Sequence, residues 1–143
     1  MAAGSSRNGG ESDKTRRRMA SELAAASGRA LYAETAAGPD GIRRILRRSE
    51  SLGDESRSEA QAFTSAGPAI FLAVAEDPPS VLLACSKDSG TNAGDWLKRA
   101  LAEAGGRGGG NPTLAQGSLP SKESLSELAP KLAGYLGIPT FPA

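Results

Sequence analysis

The sequence predicts an α/β fold, a small mixed β-sheet flanked by helices in a single domain. A chain of 143 residues is long enough for one core, and 38% hydrophobic residues can fill it. Two continuous apolar runs, 69–75 and 81–85, have the length and composition of strands that are buried on both faces. Buried strands need helices as cover, and segments with helical spacing of apolar residues lie on both sides of these runs.

The N-terminal region divides into a tail and a helix. Residues 1–12 carry too little apolar surface to offset the entropy cost of ordering, so we expect a disordered tail there. Good helix formers follow and predict a helix over 13–33. Its apolar face consists of Met19, Leu23, Ala26 and Ala30. The three arginines at 16–18 are either a solvated charge run or a basic turn that faces RNA.

A turn and an ambiguous segment come next. Residues 38–41, GPDG, are a strong turn signal. In the following segment, 42–48, the apolar spacing fits one helical turn, but the run is short and begins directly after a glycine. Its periodicity therefore does not decide between helix and strand. Asp54 then has the position of a helix N-cap, and a weakly amphipathic helix should run to about Ser65, before the Gly-Pro pair at 67–68.

The second half of the chain predicts two more helices and a third strand. One helix begins near Asn92, and its apolar stripe includes Trp96, for which core packing is favoured over stacking on a base. Residues 113–118 are the third strand. Ser121 caps a last helix, which Pro130 must break or kink.

The counts of histidine and cysteine exclude most self-contained active sites. The chain has no histidine and one cysteine. Catalytic triads, histidine general bases and histidine-bearing zinc sites are therefore excluded. Cys85 alone permits neither a disulfide nor an all-cysteine zinc cluster, and its apolar setting predicts a buried, inert thiol. A carboxylate-held Mg²⁺ site is compatible with the composition, but we predict no catalytic residue, metal or cofactor.

The expected location is the cytoplasm. A single cysteine and a basic, glycine-rich start without an apolar stretch are not typical of secreted proteins. The longest apolar run, 69–75, is far shorter than the ~20 residues that span a bilayer, so no membrane insertion is expected.

The segment 105–110, GGRGGG, is the strongest candidate for a binding site. Successive glycines allow backbone N–H groups to form a concavity for an anion, and Arg107 adds a bidentate phosphate donor. The segment matches neither a Walker loop nor a dinucleotide fingerprint, so nucleotide hydrolysis has no support. A flexible linker is the weaker alternative, because the segment lies between a helix stop and a predicted core strand.

A longer motif extends from this segment. Residues 105–116 read GGRGGGNPTLAQ, and with Ser-Lys-Asp at 86–88 and Ala-Gly at 93–94 they resemble the DHH-associated C-terminal domain. That domain is shared by alanyl-tRNA synthetases, by the long AlaX alanyl-tRNA editing proteins and, more distantly, by DHH phosphoesterases. The variant GGxGGGxPxxAQ is similar to the alanyl-tRNA branch.

The resemblance implies a tRNA-binding module over 13–137, with a tail at 138–143, and it favours a strand at 41–47. In the family this module touches the elbow side of tRNA and can assist dimer formation. The expected partners are therefore tRNA of the alanine type, a separate editing or catalytic domain, and a second copy of the chain. The residues it implies for nucleic-acid or phosphate binding are Gly105, Gly106, Arg107, Gly108, Gly109, Gly110, Gln116, Lys87, Arg43 and Arg44.

The resemblance also identifies what is missing. Editing members hold zinc with HxxxH and CxxxH patterns, and DHH phosphoesterases carry Asp-His-His residues in another domain, whereas this sequence has no histidine. We therefore expect a non-catalytic module. Two alternatives stay open: the substrate-binding part of a DHH phosphoesterase, and a dimerisation module. Phosphoesterases usually place a histidine just after the glycines, where this chain has Asn111-Pro112.

Overall fold

The computed structural model describes residues 9–138, which form four α-helices and five β-strands. In chain order these are α1 (Gly9–Glu34), β1 (Arg43–Ser49), α2 (Asp54–Ser65), β2 (Ala69–Glu76), β3 (Pro79–Cys85), α3 (Ala93–Ala104), β4 (Arg107–Gly110), β5 (Leu114–Ser118) and α4 (Lys122–Leu136). A 3₁₀ turn, Lys87–Ser89, lies between β3 and α3. The predicted α/β class is confirmed.

The strands form one open mixed sheet in the order β1-β2-β3-β5-β4. β1 and β2 are parallel neighbours, and helix α2 is the crossover that connects them. The remaining pairs are antiparallel. The two edges of the sheet are therefore β1, with the sequence RRILRRS, and β4, with the sequence RGGG.

Helices cover both faces of the central strands. On one face α3 and α4 pack against alternate residues such as Leu72 and Leu83. On the other face α2 packs directly on the sheet, with Phe63 edge-to-face on Phe71 at 5.5 Å between ring centroids, and α1 packs on α2. Because both faces are covered, the two central apolar runs are buried at every position, as predicted, and the Cys85 thiol is fully buried.

The first helix differs from the prediction in its start and in its orientation. α1 begins at Gly9, so the helix includes the last part of the predicted tail, and residues 1–8 lie outside the described part of the chain. The face that we expected to be buried is exposed: 57% of Met19 and 70% of Leu23 are accessible. The opposite face contacts α2 at Gly28, where the backbone oxygen of Glu59 leaves no room for a Cβ atom. Close approach of two helices through a glycine decides the buried face here.

Three further elements correct or resolve the sequence interpretation. Residues 43–49 are a strand, because pairing with β2 places Ile45 and Leu46 in the cores on opposite faces of the sheet. Gly53, and not Asp54, occupies the N-cap of α2. Pro130 does not break α4, which continues from Lys122 to Leu136.

The ends of the two C-terminal helices follow ordinary capping rules. Asn92 accepts a hydrogen bond from the Asp95 amide at 3.0 Å, and Ser121 accepts one from the Ser124 amide at 3.1 Å. Trp96 is half-buried against the core, as favoured. Within residues 9–138, no helix has the length and apolar character that crossing a membrane requires.

Candidate nucleic-acid interface

The glycine segment is an edge strand and not the loop that the sequence suggested. Gly105 ends α3 in a left-handed conformation with φ of 77°, and the chain then enters β4. β4 pairs antiparallel with β5, so that Gly109 lies opposite Gln116 and Gly110 lies opposite Ala115. Backbone N–H groups that were expected to form one concavity are thus committed in part to the sheet ladder.

Most of these glycines are required by packing on the side of α3. A Cβ atom on Gly108 would lie 2.5 Å from the Gln116 carbonyl oxygen and 3.0 Å from Leu101 Cδ1. A Cβ atom on Gly110 would lie 2.6 Å from Ala115 Cα, and one on Gly106 would lie 2.5 Å from the Ser118 carbonyl oxygen. The absence of side chains therefore makes room for β5 at all three positions and for Leu101 of α3 at Gly106 and Gly108.

Gly109 differs from its neighbours. Strand residues alternate between faces, so it points away from α3, and no described atom lies within 4 Å of its Cβ position. Its φ is not in the left-handed region either. Neither packing nor backbone conformation within the described chain explains why this residue is a glycine.

Polar side chains surround Gly109 on the face of the β4–β5 hairpin that points away from α3. We call this surface the open face; it consists of Arg107, Gly109 and Gln116 on the hairpin and Arg57 on α2. Gln116 donates to the Leu52 carbonyl at 3.3 Å and accepts from Arg57 Nη1 at 3.5 Å, so its side chain is held in place. The Arg107 side chain is exposed and makes no hydrogen bond or ion pair with any described residue.

Arg57 was not singled out from the sequence. It lies in a polar helical segment, DESRSEAQAFTS, in which no spacing distinguishes it from a solvated arginine. It also contacts Asp54 of the same helix through its guanidinium group. Only the crossover position of α2 brings it to the hairpin.

Lys87 lies in a neighbouring groove between α2 and the β4–β5 turn. Gln61, Thr64, Lys87 and Asn111 line this groove, and the lysine side chain is exposed. Asn111 Oδ1 accepts hydrogen bonds from the Thr113 and Leu114 amides at 3.0 and 2.8 Å, so it closes the turn. The residue that follows the glycines thus has an internal structural role.

Arg43 and Arg44 lie on the opposite edge of the sheet, away from the glycine segment. Arg43 donates to the Tyr32 carbonyl near the end of α1, and its guanidinium carbon lies 4.4 Å from the centroid of the Tyr32 ring. Arg44 donates through Nε to the Leu136 carbonyl at the end of α4 at 2.8 Å. The structure therefore does not bring these two residues together with the open face.

The surroundings of Asp40 and Cys85 shift the pKa values of these two groups. The hydrogen bond from the Arg44 side chain is the main cause that lowers the pKa of Asp40 to about 2. Burial raises the pKa of the Cys85 thiol to about 12, which leaves it protonated and unreactive, as expected.

The arginines at 16–18 are exposed on α1. Over the described residues, no group of histidine, cysteine and carboxylate side chains is arranged to hold a metal ion.

Comparison with known proteins identifies the family to which the chain belongs. The model of the DHHA1 domain family matches residues 57–137, which is more than half of the chain. The alanine–tRNA ligase of Aliarcobacter butzleri is 37% identical over 67 residues, covering 47% of this chain and 8% of the ligase. That of Dehalococcoides mccartyi is 31% identical over 103 residues, covering 67% of this chain and 12% of the ligase. The chain thus spans about a tenth of the length of these relatives.

Solved structures share the fold. The C-Ala domain of Aquifex aeolicus alanyl-tRNA synthetase matches with a TM-score of 0.50 at 19% identity, covering 68% of this chain and 94% of that domain. RecJ of Thermus thermophilus, solved in complex with Mg²⁺, matches with a TM-score of 0.54 at 17% identity, covering 90% of this chain and 19% of RecJ. The family match, which includes β2 to β5 and α3, confirms the resemblance drawn from the glycine motif: the chain belongs to the DHHA1 domain family, in a form related to the C-terminal domain of alanyl-tRNA synthetase.

Proposed function

We propose that the chain is a non-catalytic tRNA-binding module of the alanyl-tRNA synthetase type, and that the open face contacts the phosphate backbone. Gly109 carries this proposal. The fold requires glycine at 106, 108 and 110, but it leaves the space beside Gly109 open. A glycine that packing does not require is explained when a partner must approach the backbone closely.

The side chains beside Gly109 have the chemistry that phosphate needs. Arg107 offers an uncommitted guanidinium fork, which suits bidentate contact with phosphate oxygens. Gln116, fixed by its bond to the Leu52 carbonyl, offers a preorganised amide. The net charge of +1 predicts weak binding that depends on this local cluster.

The relatives support tRNA as the nucleic acid. They are alanine–tRNA ligases, of which this chain matches only a small part. We infer that the module acts together with a separate catalytic or editing domain in the cytoplasm. Deacylation of mischarged tRNA by the chain alone is not expected, because no histidine is present for a zinc site of the editing type.

Titration of the 143-residue chain with tRNA at two salt concentrations tests the proposal. Affinity should fall as salt rises, because neutralised phosphates release counterions. Arg107→Ala should weaken binding by about tenfold, the worth of one charge-assisted hydrogen bond. Gly109→Val should weaken it by a similar factor, since a branched side chain covers the backbone, while the melting temperature stays unchanged.

Lys98→Ala is the matched control. Lys98 is an exposed cation on α3, on the other side of the sheet, so its loss removes one charge without touching the open face. Equal losses for Lys98→Ala and Arg107→Ala would contradict a local site. Binding of a free mononucleotide with the same affinity as tRNA would favour the phosphoesterase-type alternative, and no binding of either would favour the dimerisation alternative.

A further inference from the structure

A small cavity on the outer side of α3 and α4 is lined by groups that the fold does not use. We call it the ring cavity; its volume is about 290 Å³, and its lining residues are Trp96, Arg99, Ala100, Glu103 and Tyr135. Because α3 and α4 cover the face of the sheet that is opposite to α2, the cavity lies on the other side of the molecule from the open face. It is therefore separate from the surface that we propose for phosphate.

Two aromatic rings form one wall of the ring cavity. The ring centroids of Trp96 and Tyr135 are 5.9 Å apart and the ring planes are inclined by 32°, so the rings are closer to parallel than to edge-on. Trp96 is half-buried, whereas 61% of Tyr135 is accessible. A tyrosine that is this exposed contributes little to the core and presents the face of its ring to a flat ligand.

Two charged side chains of α3 line the same cavity without pairing with each other. Arg99 and Glu103 are four residues apart, a spacing at which opposite charges on a helix often form an ion pair. Here the Arg99 guanidinium carbon lies 5.6 Å from the centroid of the Trp96 ring instead. Neither side chain makes a hydrogen bond or ion pair with any described residue. One guanidinium fork and one carboxylate therefore lie beside the two rings without hydrogen-bond partners in the described chain.

This combination of groups matches the chemistry of a guanine base. Guanine is a flat ring that stacks on aromatic side chains, and its N7 and O6 atoms accept hydrogen bonds, for which arginine is the most common donor. Its N1 and N2 atoms, on the adjoining edge, donate hydrogen bonds to an acceptor such as a carboxylate. We propose that the ring cavity binds an unpaired guanine, which stacks on Tyr135, accepts from Arg99 and donates to Glu103.

Other ligands fit these groups less well. A cationic group, which aromatic pockets often bind, would be repelled by Arg99 beside the Trp96 ring. Adenine has one donor group, N6, and so gives the carboxylate one hydrogen bond where guanine gives two. The volume of about 290 Å³ is just below the roughly 300–1,000 Å³ of pockets that enclose drug-sized ligands, so the sugar and phosphate stay outside.

The fluorescence of Trp96 tests the proposal directly, because Trp96 is the only tryptophan in the chain. Titration of the full chain with guanosine should quench this fluorescence, with N-acetyltryptophanamide as the control for absorption by the nucleoside. Guanosine has no phosphate, so the result does not depend on the function proposed for the open face, and Arg107→Ala should be quenched to the same extent. Quenching no greater than in the control would overturn the proposal.

Variants of the cavity test the role of each side chain. Tyr135→Ala should weaken guanosine binding by about tenfold or more through the loss of stacking, whereas Tyr135→Phe should retain it. The wild type should bind guanosine about tenfold more tightly than inosine, which lacks the N2 amino group, and Glu103→Gln should abolish this preference.

The matched control is Glu123→Gln, which removes an exposed carboxylate of α4 outside the cavity and should leave the preference for guanosine over inosine unchanged. Loss of the preference in both Glu103→Gln and Glu123→Gln would contradict a direct contact with Glu103. Equal affinity of the wild type for guanosine, adenosine and cytidine would overturn the assignment to guanine.

Two further ligands identify the source of the base. We compare GMP with a short single-stranded RNA that has one guanine among uridines, again through Trp96 fluorescence. Tighter binding of the single strand assigns the site to RNA and tighter binding of GMP assigns it to a free nucleotide; both results support a guanine site. The same RNA annealed to its complement should not bind the cavity, because base pairing occupies N1 and N2. Undiminished quenching by the duplex would overturn the proposal.

Discussion

The two edges of the sheet differ in the number of arginines they carry and in whether those arginines are bound within the protein. β1 carries four arginines in seven residues, and β4 consists of one arginine and three glycines. In β1, Arg43 and Arg44 bind the ends of α1 and α4, and Arg47 pairs with Glu59 of α2 at 3.4 Å. In β4, the side chain of the single arginine makes no hydrogen bond or ion pair with any described residue.

A count of positive charges therefore does not tell which edge of the sheet offers free groups to a partner. The dense arginine run holds three helices against the edge of the sheet. Two guanidinium groups donate to carbonyls at helix ends, and a third pairs with a carboxylate inside α2. The glycine-rich edge, with one arginine, leaves a backbone and a guanidinium group open to a partner. Charge that is already hydrogen-bonded inside the protein contributes less to binding than charge that is free.

The glycine edge gives the largest expected effect on stability. Gly108→Ala should lower the free energy of unfolding by about 3 kcal/mol, because the added methyl group overlaps the β5 backbone and Leu101. Gly109→Ala is the matched control. It should leave stability unchanged or raise it by about 0.5 kcal/mol, since the unfolded chain loses freedom. Urea unfolding of both variants measures this, and equal losses would contradict the assignment of two different roles.

Arginine substitutions sharpen the comparison between the edges. Arg44→Met should lower the free energy of unfolding by about 1–2 kcal/mol, since the Leu136 carbonyl loses its side-chain donor in a half-buried position. Arg107→Met should change it by less than about 0.5 kcal/mol. For tRNA affinity the order should reverse, with Arg107→Met the weaker binder. An Arg44→Met protein that is fully stable but binds tRNA poorly would place the interface on β1 after all.

The smallest effect concerns the pH dependence of the β1 edge. Because the pKa of Asp40 is lowered to about 2, its pair with Arg44 contributes stability above the pKa of the unfolded chain, about 4, and loses it as the pH falls toward 2. Asp40→Asn should therefore be slightly less stable than the wild type at pH 7, and the difference should vanish near pH 2. Asp40 is exposed, so the effect is small. A difference that grows as the pH falls would contradict this assignment.

The sequence predicts the centre of this fold better than its edges. The runs of β2 and β3 are apolar at nearly every position because both faces are covered, and such runs have few alternative structures. In β1, arginines and apolar residues occur in pairs, so that alternation between faces is hidden and a helical turn fits equally well. β4 has no propensity for a strand at all and exists because β5 and α3 enclose it.

The candidate site was predictable as a segment but not as a surface. The glycine motif identified residues 105–116, yet only the strand alternation separates Gly109 from the glycines that packing requires. The partnership of Gln116 with Arg57 spans 59 residues and has no local signal. On α1, the sequence shows the helical spacing of Met19 and Leu23, but spacing alone does not tell whether that face of the helix is buried or exposed.

The hydrogen bond from Arg44 to Leu136 joins residues that lie 92 positions apart. At a synthesis rate of roughly 5–20 residues per second, β1 leaves the ribosome several seconds before the end of α4 can bind it. During that interval, as in the finished sheet, one side of β1 is an edge, and an exposed strand edge is a template for aggregation. Its four like charges oppose pairing with another nascent chain. The same arginines that hold the finished domain together therefore protect it before it is finished.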